Sequence, residues 1–353
     1  MAGDVALRPA CATGIGSMPG TAPIEAARVI VGELADLVHV PELPSRGPGA
    51  DLVGRTGALV SAVSSDLGLE TTPDGWRIAG SVGRQMRLAR SWLAEDLDAI
   101  SEQADGYRGV VKAQVCGPWT MAACVELPSG ERVLRDDGAC WDLAQALAEA
   151  VRGHVGDLAR RFPQASGFLV QVDEPSLPAV LGGRIGTASG LSAYRAVDPQ
   201  IAQRALELLA HAVTGVASVP ARVGYHCCAS DAPLDLMRAS GAAFVSIDAT
   251  GLAASRALDD PIGRCFDAGM GVWLGSVPST GTGRLADTAA AAPIRALLHR
   301  LGLEDASWLH QLVVTPSCGL AAADPPWVRT ALAACTAVGR GLRDADDEGP
   351  GHE

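Results

Sequence analysis

Ala221-Arg222-Val223-Gly224-Tyr225-His226-Cys227-Cys228, then residues 232–239, then Ala243-Phe244-Val245-Ser246-Ile247-Asp248: this stretch decides the fold. Both ends read as short strands, and the middle reads as one helix. Strand, helix and strand at this spacing make a parallel βαβ unit. Side chains alternate along a strand, so His226 and Cys228 face one way and Tyr225 and Cys227 the other. In the second strand, Val245 and Ile247 take one face and Ser246 and Asp248 take the opposite one. An imidazole, a thiol and a carboxylate thus collect where two neighbouring strands end.

The same alternation runs outward in both directions. Strands are expected at Cys11–Ser17, Leu37–Glu42, Gly109–Cys116, Gly167–Asp173, 221–228, Ala243–Asp248, 270–276 and Gln311–Thr315. Helical periodicity follows each, at Pro23–Leu34, Leu52–Ser64, Arg87–Gln103, Trp141–Arg161, Asp198–Val216, 232–239, Pro261–Ala268, 291–301 and 326–340. Residues 67–85 read as an irregular, hairpin-like insertion. Eight strands alternating with helices predict an α/β fold, a single (β/α)8 TIM barrel with extra helical and loop insertions in the first third. No low-complexity linker divides the chain, so residues 1–343 are expected to form one domain. The acidic stretch 344–353 is expected to be a flexible tail.

Composition narrows the function. Of the 353 residues, 48% are hydrophobic and 19% charged, enough for a large core. A net charge of −12 disfavours nucleic acid and anionic membranes as partners. No apolar run approaches a membrane span, and Met1–Pro9 lacks the pattern of a secretory signal, so a cytoplasmic protein is expected. Nine cysteines in such a chain read as thiols and ligands rather than as a disulfide framework.

Barrel enzymes carry their chemistry at the C-terminal strand ends. The unusual polar residues fall there: Gly14-Ile15-Gly16-Ser17, Glu42, Gly117-Pro118-Trp119-Thr120, Asp173-Glu174-Pro175, His226 with Cys228, Asp248, and Cys318-Gly319. Asp248 ends the strand beside Cys228, and Cys318 lies on the same rim. His226, Cys228, Asp248 and Cys318 make a four-ligand set for Zn2+. Two thiolates and a carboxylate leave such a site electron-rich, which suits activating a bound thiol better than making hydroxide from water. Glu174 reads as a residue that orients a neighbour. Cys11, Cys116, Cys124, Cys140, Cys227, Cys265 and Cys335 read as packing residues, and His39, His154, His211, His299 and His310 as surface or packing residues. Lys112, the only lysine, fits either a charge inside the barrel or a side chain reaching outward.

At this point a family resemblance emerges. Thr13-Gly14-Ile15-Gly16-Ser17-Met18-Pro19, Gln114-Val115-Cys116-Gly117-Pro118-Trp119-Thr120, Gln171-Val172-Asp173-Glu174-Pro175-Ser176-Leu177, His226-Cys227-Cys228, Ile247-Asp248 and Pro316-Ser317-Cys318-Gly319-Leu320 occur in order. Together they resemble the catalytic barrel of the cobalamin-independent methionine synthase family over residues 10 to 340. The resemblance implies a zinc-dependent methyltransferase that takes homocysteine, or a similar thiol, as a zinc thiolate and methylates it. It implies that His226, Cys228, Asp248 and Cys318 hold the zinc, with aspartate where the family usually has glutamate. Ile15, Gly16 and Ser17 would meet the amino acid carboxylate, Asp173 its ammonium, and Glu42 would assist.

The methyl-donor half departs from the family pattern. Ser276 stands at or near the place of the family's proton-donating histidine, Cys124 near that of its folate-stacking tryptophan, and Ala179 near that of its folate-contacting glutamate. The donor therefore stays open between folate, a corrinoid carrier protein and another carrier. The alternatives are a methylcobamide-dependent thiol methyltransferase, a non-catalytic barrel that binds zinc or an amino acid, and a uroporphyrinogen decarboxylase-type enzyme. The last wants cationic residues that the first strand end does not offer.

Overall fold

The computed structural model describes residues 5–252, 254–303 and 306–347. In chain order the strands are β1 (Cys11–Ala12), β2 (Leu37–His39), β3 (Leu69–Thr72), β4 (Gly75–Ile78), β5 (Val110–Cys116), β6 (Val125–Glu126), β7 (Gly167–Asp173), β8 (Ala221–His226), β9 (Phe244–Asp248), β10 (Gly271–Val277) and β11 (Leu312–Pro316). The helices are α1 (Pro23–Glu33), α2 (Leu52–Val63), α3 (Arg84–Gln103), α4 (Pro118–Cys124), α5 (Asp137–Arg161), α6 (Leu177–Leu181), α7 (Pro199–Ala212), α8 (Leu234–Ala239), α9 (Asp259–Asp267), α10 (Asp287–Leu301) and α11 (Pro325–Asp347).

Eight strands pair in parallel, in the order β1-β11-β10-β9-β8-β7-β5-β2. The two end strands meet through a parallel bridge between Ser17 and Glu42, with Met18 N–H on the Glu42 carbonyl and Glu42 N–H on that of Gly16. The chain is therefore a (β/α)8 barrel, closed at the rim by two of the expected site residues. The insertion at 67–85 holds the β3–β4 hairpin, and β6 joins it to make a small separate sheet.

Local chemistry accounts for the boundaries. Proline opens α1, α4 and α7, where its missing N–H costs nothing. Asp51, Asp136 and Asp198 cap α2, α5 and α7 through backbone N–H groups of Gly54, Ala139 and Gln200. Two turns expected from Gly117-Pro118 and Pro175 are each followed at once by a short helix, α4 and α6. Helix α7 stops earlier than the expected Val216, and α5 and α10 start earlier than expected. The last helix runs to Asp347, so the beginning of the expected tail is helical; residues 348–353 lie outside the described residues.

The barrel interior changes character along its axis. At the N-terminal ends of the strands, Cys11, Leu37, Val110, Leu169, Phe244, Trp273 and Val313 form an apolar plug. The rings of Phe244 and Trp273 stack there at 3.7 Å. Gly224 is required under them, because a Cβ at that position would sit 2.3 Å from the Phe244 ring. Above the plug the interior turns polar with Lys112, Gln171 and Ser246, all buried. A polar interior toward the C-terminal strand ends marks where the site lies.

Candidate active site

Strand register brings the candidate ligands together. Asp173 of β7 pairs with His226 of β8, and His226 pairs with Ser246 of β9. The chain beyond β8 carries Cys228, and the turn after β11 carries Cys318. One ligand atom from each of His226, Cys228 and Cys318 lies within 4.8 Å of the others. The two sulfurs are 3.9 Å apart. A disulfide would need about 2.05 Å. Two thiolates on one tetrahedral zinc, each about 2.3 Å from it, stand roughly 3.8 Å apart. The observed spacing would suit two ligands to one ion.

His226 is set up in the same way. Its Nδ1 lies 3.0 Å from the Ser246 hydroxyl. Its Nε2 is buried and has no hydrogen-bond partner. Anchoring Nδ1 leaves Nε2 as the free nitrogen, the usual arrangement behind a metal-binding imidazole. Contact with Cys228, and then the nearby His226 imidazole, pull the Cys318 thiol well down toward thiolate. Its bond with Cys318, and then burial, push Cys228 up. The donor set of one nitrogen and two sulfurs fits zinc.

Asp248 stands outside this group. Its Oδ1 accepts from both the N–H (2.8 Å) and the hydroxyl (2.6 Å) of Thr250, closing a tight turn. The structure thus brings together three of the four expected ligands, and a metal held by these three would keep a fourth position for a substrate atom.

A cavity of about 250 Å³ lies over the three ligands. Ile15, Ser17, Glu42, Asp173, His226, Cys228 and Cys318 all line it. Gly16 lies between two of these residues, backed by Gln114: a Cβ on Gly16 would sit 2.4 Å from the Gln114 amide. Gly319 is needed against the Ser17 hydroxyl for the same reason. Ser276 and Ala179 are not among the cavity residues. Ser276 is buried on an irregularity of β10. Cys124 ends α4, half-buried.

The carboxylates differ in role. Glu174 is fully buried and accepts from Trp119 N–H (2.9 Å), Thr120 N–H (2.8 Å) and the Thr120 hydroxyl (2.7 Å). It fixes the start of α4 and touches no open space. Asp173 takes one hydrogen bond, from Gln171 Nε2 to Oδ1 at 2.7 Å. Burial raises its carboxyl, against the pull of His226 and Gln171. Burial pushes Glu42 up to about 7, with Arg55 pulling the other way. Asp96 of α3 holds Arg55 and, at 2.5 Å, Arg46, so the loop bearing Glu42 is tied to the helices behind it.

The sequence left the direction of Lys112 open and gave no role to Gln171. Lys112 points into the barrel, fully buried, with its Nζ on the Ile15 carbonyl (2.9 Å) and on Gln171 Oε1 (2.7 Å). Burial lowers its basicity, while Asp173 and Glu42 oppose that shift. Both faces of a barrel strand are covered, so alternation alone does not say which face is the interior. A larger cleft of about 930 Å³ opens elsewhere, beside Trp141, Arg135, Arg195 and Arg204. It includes none of the expected site residues.

Comparison with known proteins agrees with this geometry. Residues 85–340 match the family model described as cobalamin-independent synthase, catalytic domain. The span leaves out β1 to β4 and hence Ile15, Gly16, Ser17 and Glu42. Among solved structures, the chain is similar to a B12-independent methionine synthase from Shewanella sp. W3-18-1 in complex with selenomethionine. The identity is 14%, with 96% of this chain and 99% of that one covered and a TM-score of 0.63, a likeness of fold. A GH5_18 protein from Streptomyces cattleya in complex with Manb1-4GlcNAc shares 16% identity over 97% of this chain and 83% of that one, with a TM-score of 0.47. No curated protein matches the sequence. Among the described residues no helix is long and apolar enough to cross a membrane.

Proposed function

From the premise that the chain belongs to the family of cobalamin-independent synthase catalytic domains, we propose that it is a zinc-dependent methyltransferase acting on the thiol of homocysteine or a similar amino acid. The observation that carries this reading is the cluster of His226, Cys228 and Cys318, with ligand atoms within 4.8 Å, beneath a cavity that Asp173 also lines. His226 Nε2 and the two sulfurs would hold the metal. Zinc, when bound, lowers the pKa of a coordinated thiol from about 8.5 to below neutrality, so no general base is needed.

The protein's own groups then do the positioning. Asp173 Oδ2 is free for a ligand ammonium, which a buried carboxylate holds strongly. Ile15, Gly16 and Ser17 offer backbone N–H groups and a hydroxyl to the carboxylate, and Glu42 lies opposite them. Asp248, engaged with Thr250, supports the turn beside Cys228 in this reading. For the donor, a tetrahydrofolate nitrogen leaves poorly without a proton. Among the described residues His226, beside the thiols, is the only imidazole lining the cavity, and Ser276 lies outside it. A methylated carrier that leaves without protonation, such as a corrinoid, fits these residues better.

The test is direct. Purified protein should contain about one zinc per chain, and His226→Ala should lose it. The zinc-loaded protein should transfer a methyl group to homocysteine from methylcobalamin and not from methyltetrahydrofolate. Metal content that His226→Ala leaves unchanged contradicts the metal assignment. Turnover with methyltetrahydrofolate contradicts the donor reading while leaving the thiol reading in place.

A further inference from the structure

Beneath the cavity, Lys112, Gln171, Asp173 and the Ile15 carbonyl form one hydrogen-bonded unit. Lys112 Nζ donates to the Ile15 carbonyl at 2.9 Å and to Gln171 Oε1 at 2.7 Å. Because Gln171 gives its oxygen to Lys112, its NH2 is left to donate twice. It does so to the same Ile15 carbonyl at 2.9 Å and to Asp173 Oδ1 at 2.7 Å. A lysine offers donors only, so it fixes which way the Gln171 amide is turned.

Two consequences follow for the cavity above. The Ile15–Gly16 peptide is trans, so its N–H points opposite to its carbonyl. Holding the carbonyl down on Lys112 and Gln171 aims the Gly16 N–H toward the cavity side. Among the described residues, no acceptor in the protein takes that N–H. Gln171 also stands between Lys112 and Asp173. The lysine therefore stabilises the buried carboxylate without occupying it, and Oδ2 stays available to a second cation.

We propose that Lys112 is a positioning residue for α-amino acid recognition: from below, it fixes the Ile15 carbonyl and the Gln171 amide. Through these it orders the N–H that meets a ligand carboxylate and the carboxylate that meets a ligand ammonium. The inference rests on the amino acid reading of the site. It explains why a cation and an amide are buried at mid-barrel, where apolar layers would fill the space at lower cost.

Calorimetry with three variants and two ligands tests it. L-Methionine carries the amino acid groups without a thiol. 1-Propanethiol carries the thiol without those groups. In Lys112→Met the methionine affinity should fall roughly 10–100-fold, the range for losing charged hydrogen bonds. Zinc content and propanethiol affinity should stay within about twofold of wild type, since neither His226 nor the two thiols touch the lysine. Lys112→Arg, which restores the charge with a different donor geometry, should recover part of the loss. If Lys112→Met fails to fold, Gln171→Glu decides the matter. It keeps the contact with Lys112 and removes both amide donors, so methionine affinity should again fall alone. Folded variants that bind methionine as wild type does overturn the inference, as does a parallel loss of methionine, propanethiol and zinc. A wild type that binds methionine but holds no zinc contradicts the metal reading and leaves this inference standing. A wild type that binds no methionine overturns both the amino acid reading and this inference.

Discussion

Ser246 puts its hydroxyl 3.0 Å from His226 Nδ1, and that contact leaves Nε2 bare beside two sulfurs. A hydrogen bond behind a ligating imidazole fixes the ring's orientation and tautomer, and losing it typically costs about 10–100-fold in metal affinity. Ser246→Ala should therefore weaken zinc binding by roughly that factor without abolishing it, as read by competition with a chromophoric chelator. Unchanged affinity would mean that the hydroxyl does not orient the ring. His226, Cys228 and Cys318 were legible in the sequence because strand alternation and strand ends locate them. Asp248 was legible only as a strand-end carboxylate, and Thr250, two residues on, takes it into a turn of the kind aspartate favours. Lys112 was visible as the only lysine with its direction left open between inward and outward, since its strand is buried on both faces.

Helix α5 is the longest element among the described residues and lays one face against α2 and α7. That face carries His154, fully buried, whose imidazole is held down to about 4 by burial and then by Arg55. The sign follows from proton counting. Between the unfolded value near 6.5 and the folded value, the unfolded chain binds a proton that the folded chain does not. This residue's contribution is intact above pH 6.5 and is lost as the pH falls toward 4. Compared with His154→Gln, the wild type should lose about 2 kcal/mol more stability between pH 7 and pH 5, measured by urea unfolding. A constant difference between the two across that range would mean that the folded histidine takes up its proton as the unfolded one does. The periodicity of α5 was plain in the sequence, but its start was not: Asp136 caps it a turn before the apolar stripe begins. The short helices α4 and α6 escaped notice because so few residues carry no readable period.

Eight strands and their helices were readable from alternation alone, because every βα unit repeats the same switch of period. How the barrel closes was not. The end strands are short, and the bridge between Ser17 and Glu42 joins two loop residues rather than two apolar runs. That closure places the residues that would hold an amino acid over the thiol and imidazole cluster, so closure of the fold and assembly of the site coincide. In the proposed reading the cluster binds zinc and presents it to a substrate thiol. X-ray absorption at the zinc edge tests it on the loaded protein, before and after homocysteine is added. A zinc held by Cys228 and Cys318 should show about two sulfur ligands near 2.3 Å in the free protein and one more sulfur after addition. A sulfur count that homocysteine leaves unchanged would contradict it.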